Sequence, residues 1–284
     1  MPLAETSGYF EVAGRQLYGT LFQPQAPAAA GLVIYDPFGE EKKCAFRLIV
    51  RLARAAARAG LAVLRFDLSG TGESGGDHAK ATWMHWREDA VAAARLLKQQ
   101  TGLEHCTAIG LRLGALLAVH AATEAPCDAV CLIEPVLTGD ECLRDLERRQ
   151  KIKAMMGGNN TADDAAALWQ QGLPADFGGI DVGAQLAAEL RQDSLIEQLR
   201  DVPTSCPLQV LRVSGGKSFP STWDGLLERA RATPPGGAEI IRDKPFWGQL
   251  EYYESPYVID AAMAFLRAVS NVPATGPTVP GEIP

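Results

Sequence analysis

The chain has 284 residues, 47% of them hydrophobic and 21% charged, with a formal net charge of −7. That acidic balance argues against a nucleic-acid partner, whose phosphates demand a basic face. No apolar run approaches the roughly 18 residues needed to span a bilayer.

Residues 1–14 lack the basic and apolar regions of a signal peptide, so a cytoplasmic protein is expected. Six cysteines (Cys44, Cys106, Cys127, Cys131, Cys142, Cys206) are scattered without metal-ligand spacing. They read as reduced structural thiols, and neither metal nor cofactor is expected.

Tyr9–Val12 and Gln16–Phe22 alternate around Ala13-Gly14-Arg15 and predict an opening hairpin. From Gly31 the rhythm becomes strand, helix, strand, helix. Leu32–Tyr35 is a strand and Lys42–Ala59 a helix. Leu61–Phe66 is the next strand, followed by a loop over Asp67–Asp77 and a helix over Thr82–Gln100. Then come a strand at His105–Ile109, a helix at Arg112–Thr123 and a strand at Ala129–Ile133. Near-continuous apolar strands alternating with helices predict an α/β, mostly parallel, doubly wound sheet covered on both faces. On the first long helix, Arg47, Arg51, Arg54 and Arg58 fall on one stripe and read as a solvated face.

The rhythm breaks between Thr138 and Val202. Asp140–Met156, Thr161–Gln171, Gly183–Arg191 and Ser194–Leu199 read as helices, interrupted at Gly157–Asn160 and Asp176–Gly179. This predicts a helical cap insertion at 138–202 within a core of 1–137 and 203–270. Strands return at Leu208–Val213 and Glu239–Ile241, Pro256–Val269 closes the fold as a helix, and residues 271–284 read as a flexible tail.

In an open parallel sheet, ligands bind outside the carboxyl ends of the strands. Those ends carry Asp36-Pro37-Phe38-Gly39-Glu40-Glu41, Asp67 with Gly70 and Gly72, Arg112, Glu134-Pro135, Ser214-Gly215-Gly216-Lys217 and Phe246-Trp247. Gly110-Leu111-Arg112-Leu113-Gly114 has the strand–turn–helix setting of a nucleophile elbow, but with arginine in the serine position. A guanidinium is always charged and has no lone pair with which to attack a carbonyl. A serine hydrolase also needs a histidine after its last strand. The four histidines (His78, His85, His105, His120) all come earlier, and 242–249 contains none. Ser69 and Ser74 lie on the glycine-rich loop without an assigned histidine. That loop lacks the lysine and spacing of a phosphate-binding P-loop.

Arg65–Ser74 matches the D-x-x-G-x-G-x-S loop of esterase-like α/β hydrolases. Together with 36–41, Ala81–Trp86, Gly110–Leu117, Glu134–Val136 and Phe246-Trp247, it makes the chain resemble the α/β-hydrolase superfamily. Within it, the chain is most similar to the second type of exosortase A system-associated hydrolase. The resemblance implies an α/β-hydrolase fold and a link to bacterial exopolysaccharide and PEP-CTERM surface-protein systems. It also implies oxyanion donors at the backbone of Leu113 and of Phe38 or Gly39.

Three functions follow. The first is a non-hydrolytic pocket protein for a small anionic or acyl ligand, bound by Arg112, Leu113, Phe38, Gly39, Lys217 and Trp247. The second is an ester- or acyl-acting enzyme using Arg112 with Asp36 or Glu134 as base. The third is a scaffold for a protein partner of the surface-export system. In any of them a buried Arg112 requires a carboxylate, expected to be Glu134 first and Asp36 second.

Overall fold

The computed structural model describes residues 3–125, 127–156, 164–245, 247 and 252–270. Phe246, 157–163 and the tail at 271–284 lie outside these described residues, so the expectations placed there are not taken further.

The opening hairpin is β1 (Leu3–Val12) and β2 (Arg15–Pro24), paired antiparallel through a turn in which Ala13 and Gly14 both have positive φ. The parallel part follows: β3 (Ala30–Tyr35), β4 (Leu61–Phe66), β5 (Cys106–Leu111), β6 (Ala129–Ile133), β9 (Leu208–Val213) and β10 (Gly237–Ile241). The sheet order is β1-β2-β4-β3-β5-β6-β9-β10, antiparallel from β1 to β4 and parallel beyond. β3, β5 and β6 are buried along their whole length, as strands covered on both faces must be.

The helices split into two layers. α1 (Glu40–Ala59) and α9 (Pro256–Ser270) pack with β3 and β4 residues on one face. α2 (Trp83–Thr101), α3 (Gly114–Glu124) and α8 (Asp224–Arg231) cover the other. In α1, Cys44, Ala45, Leu48, Ile49, Leu52, Ala53 and Ala56 recur at helical spacing and form its buried stripe. Gly60, left-handed at φ 109, closes that helix. Thr82 caps α2 by accepting from the His85 backbone N–H at 3.1 Å. The arginine stripe of α1 lies on the surface, where Arg47 and Arg51 reach Glu254 and Arg54 reaches Glu5.

Between β6 and β9 the chain forms α4 (Gly139–Met156), α5 (Ala165–Gln170), the short antiparallel pair β7 (Ala175–Asp176) and β8 (Asp181–Val182), α6 (Ala184–Leu190) and α7 (Leu195–Gln198). The β7–β8 pair sits where the sequence shows only an interruption, and α8 falls in a stretch where no element is expected. The six cysteines are all free and buried. Among the described residues no cluster of metal-ligating side chains occurs, and no helix is long and apolar enough to cross a membrane.

Candidate functional site: a sealed elbow beside an open cleft

The turn after β5 is held open by its two glycines. A Cβ on Gly110 would meet the Gly114 carbonyl oxygen at 2.5 Å, and one on Gly114 would meet the Tyr35 carbonyl oxygen at 2.2 Å. Between them Arg112 adopts φ 52, a left-handed conformation uncommon for any residue but glycine. Its N–H donates to the Ile133 carbonyl at 3.1 Å, and Ala115 returns a bond to its own carbonyl at 3.1 Å. This is the sharp strand-to-helix turn that the glycine spacing predicts.

The arginine side chain does not reach solvent; the residue is 6% exposed. Nε donates to both oxygens of Glu41 at 3.2 Å, and Nη2 to Asp145 Oδ2 at 3.1 Å. Nη1 lies 3.5 Å from the Glu134 carbonyl oxygen. The guanidinium carbon sits 4.9 Å from the centroid of the Trp247 ring, which stacks on the charge. Burial alone pulls the Arg112 pKa down. Glu41, Cys142, Asp145 and Glu134 more than offset that, and the net shift is upward. Arg149 of α4 donates to Glu41 at 2.6 Å, and Arg148 to Asp145 at 2.9 Å.

The expected partner is therefore corrected. Glu134 offers Arg112 only its backbone carbonyl; its Oε2 accepts the Val213 N–H at 2.6 Å. Burial pushes the Glu134 carboxyl up to about 7, against the Val213 bond and Arg112, which both lower it. Asp36 faces the other way, bonding Arg65 at 2.9 Å and lying 3.3 Å from Lys42. Strand-end neighbours were the natural guess from sheet order. Glu41 comes instead from the first turn of α1 and Asp145 from α4, whose placement the sequence does not reveal. Glu41 stood at the end of the pocket stretch 36–41, and that position was the only signal for it.

Next to the elbow lies a cleft of about 550 Å³. Phe38, Gly39 and Leu113, the expected oxyanion-loop residues, line it, as do Asp36, Lys42 and Lys43. Arg112, Lys217 and Trp247 do not line it. Lys217 is exposed beyond β9, so the six residues expected to share a ligand are divided among three places. The β7–β8 turn reaches over the loop after β3, where a Cβ on Gly39 would meet Ile180 Cδ1 at 3.2 Å.

The glycine-rich loop forms the cleft's third wall, and its polar groups are taken up internally. Asp67 accepts from Lys42 at 2.6 Å and from the Glu73 N–H at 3.0 Å. Ser74 Oγ donates to the Asp67 carbonyl at 2.6 Å and accepts the Tyr18 N–H at 2.9 Å. The N–H groups of Gly70, Thr71, Ser74 and Gly75 all find carbonyl partners. Ser69 accepts from Arg15 at 3.1 Å, and its N–H donates to the fully buried Asp89 at 2.8 Å. The loop is a structural knot. The serine hydroxyls bond Arg15, Tyr18 and Asp67 and not a histidine, and the bonded N–H groups are not available to cradle phosphate.

Sheet order, elbow and helix layers together decide the architecture. The chain has the α/β-hydrolase fold. The profile of the family described as "Serine aminopeptidase, S33" matches residues 44–159, which span α1 to α4. Among solved structures, a hypothetical protein from Pseudomonas aeruginosa is 16% identical, with 94% of each chain covered and a TM-score of 0.62. The α/β hydrolase GrgF from Penicillium is 15% identical, covering 95% of this chain and 100% of that one, with a TM-score of 0.62. Est1E from Butyrivibrio proteoclasticus, solved with ferulic acid bound, is 15% identical over 92% of this chain and 98% of that one, with a TM-score of 0.61. At these identities the likeness is one of α/β-hydrolase fold alone. No curated protein matches the sequence.

Proposed function

We propose that this α/β-hydrolase-fold chain is a non-hydrolytic ligand-binding protein with a degenerate triad, capped by 138–202, and that it serves a bacterial exosortase and exopolysaccharide system. The observation that carries the reading is Arg112 at the elbow: 6% exposed, held by Glu41 and Asp145 and covered by Trp247. A buried, paired guanidinium neither attacks a carbonyl nor recruits a new anion without breaking its existing bonds. Ligand recognition then falls to the neighbouring cleft. The link to surface export is supported by the motif resemblance from Asp36 to Trp247.

The test is labelling by a fluorophosphonate probe together with turnover of p-nitrophenyl acetate. The purified chain is expected to stay unlabelled and to match a heat-killed control. Stoichiometric labelling overturns the reading, because it requires an activated serine.

One observation favours the enzyme alternative, in which Arg112 and a carboxylate act without serine. Glu134 is pushed up to about 7 by burial, within the range of a general acid or base. Its carboxylate is nevertheless engaged by the Val213 N–H, and the residue is only 7% exposed. Ester turnover lost on Glu134→Gln, without labelling, would select that alternative.

A further inference from the structure

We infer that the ligand site is the cleft beside the elbow, and that it takes an amphipathic monocarboxylate. An apolar ring or chain would sit among Phe38, Phe66, Leu68, Leu113 and Ile180, with its carboxylate at Lys43. The inference rests on the non-hydrolytic reading only in asking no chemistry of the elbow.

At about 550 Å³ the cleft has the size of ordinary small-molecule sites. Its walls are mainly aromatic and aliphatic carbon. Exposed Phe46 (45%) and Tyr252 (63%) extend that carbon surface to the lip. Such a lining stabilises a ligand through the area that it removes from water.

Most of the polar groups in the wall are already occupied. Lys42 sits between Asp36 and Asp67, and Arg65 takes the same Asp36 oxygen, so two cations face two carboxylates. His78, between Phe38 and Trp86, leaves its Nε2 without a hydrogen-bond partner, but burial lowers its pKa and so disfavours a charge there. The bonded N–H groups of the glycine-rich loop offer nothing further. Lys43 is left over. It lines the cleft, is exposed, and among the described residues has no carboxylate within ion-pair distance. One unmatched ammonium beside an apolar chamber fits a single carboxylate. A phosphate, with its higher charge and three acceptor oxygens, would call for several donors.

Calorimetric titration of the full chain with 3-phenylpropionate and octanoate, each against its matching alcohol, tests this. At least one acid is expected to bind saturably at one site and more tightly than its alcohol by about fivefold, the scale of one exposed ion pair. Lys43→Ala should erase that difference, while Lys217→Ala, which removes the same charge from an exposed position that does not line the cleft, should leave it intact. Both are exposed positions, and unchanged circular dichroism melts will confirm the fold. Saturable binding by neither acid overturns the proposal. So does equal binding of acid and alcohol, or an equal loss in both lysine variants. Probe labelling is a separate measurement: a labelled chain that passes the titration keeps this site, and an unlabelled chain that fails it loses this site alone.

Discussion

Glu41 and Lys42 are adjacent in the first turns of α1, yet they serve opposite kinds of environment. Glu41 joins Arg112, Arg149 and, through Arg112, Asp145 in a chamber closed by Trp247. Lys42 joins Asp36, Asp67 and Arg65 along the wall of an open cleft. Both clusters alternate their charges. The difference is the space beside them: Asp36 and Lys42 line the cleft, whereas Glu41, Arg112 and Asp145 do not, and that decides what each can do. The closed cluster fixes structure, because any group removed from it leaves a desolvated charge behind. The open one leaves room, and one unmatched cation, for something from outside.

The sharpest way to break this contrast is Glu41→Gln. It leaves Asp145 as the buried guanidinium's one paired carboxylate and takes Arg149's partner as well, and denaturant unfolding should show a loss of about 3–5 kcal/mol. Adding Arg112→Met should recover part of that loss; strictly additive losses would mean that the two charges are not coupled.

Glu134 sets the next largest effect. Its folded-state pKa of about 7 lies above the ordinary glutamate value, so the folded chain holds the extra proton between the two. The group therefore costs nothing below about pH 4, lowers stability progressively as pH rises from the ordinary glutamate value to about 7, and levels off above that after a loss of up to about 3 kcal/mol. Arg112, Arg212 and Glu141 are the charged groups that modulate it. Glu134→Gln should flatten the stability profile between about pH 4.5 and 7. An unchanged slope would place the titration elsewhere.

Trp247→Ala should cost about 1–2 kcal/mol, from the lost stack on a desolvated cation. It should also make the elbow chamber accessible, read as faster modification of Arg112 by phenylglyoxal. The smallest effect belongs to the surface. Arg51 lies 2.6 Å from Glu254 but is 49% exposed, so Arg51→Ala should change stability by less than about 1 kcal/mol. A loss as large as that of Glu41→Gln would mean that burial does not separate the two kinds of ion pair.

The sequence made the sheet legible because strands buried on both faces are continuous apolar runs, and β3 to β6 were recognisable on that ground. The elbow was legible because two glycines bracket a turn that tolerates no Cβ. The β7–β8 pair was not, since two-residue strands carry no periodicity. Nor was α8, a short amphipathic turn among glycines and prolines. At the site, Arg112's need for a carboxylate was readable from burial energetics. Which carboxylate was not, because Asp145 reaches the elbow only through the packing of α4, some thirty residues further along the chain. The same packing separates Leu113 and Phe38 from Arg112 and Trp247, groups that sheet order alone puts together.

The ion pairs at the elbow also bear on how the chain can change over generations. A serine at 112 would leave Glu41 to Arg149 and Asp145 to Arg148, with the volume of the guanidinium unfilled beside Trp247. That substitution therefore loses the bonds to both carboxylates and the stack on the indole at once. Position 112 is thus held by its neighbours: a replacement there is best tolerated when Glu41 and Asp145 change with it.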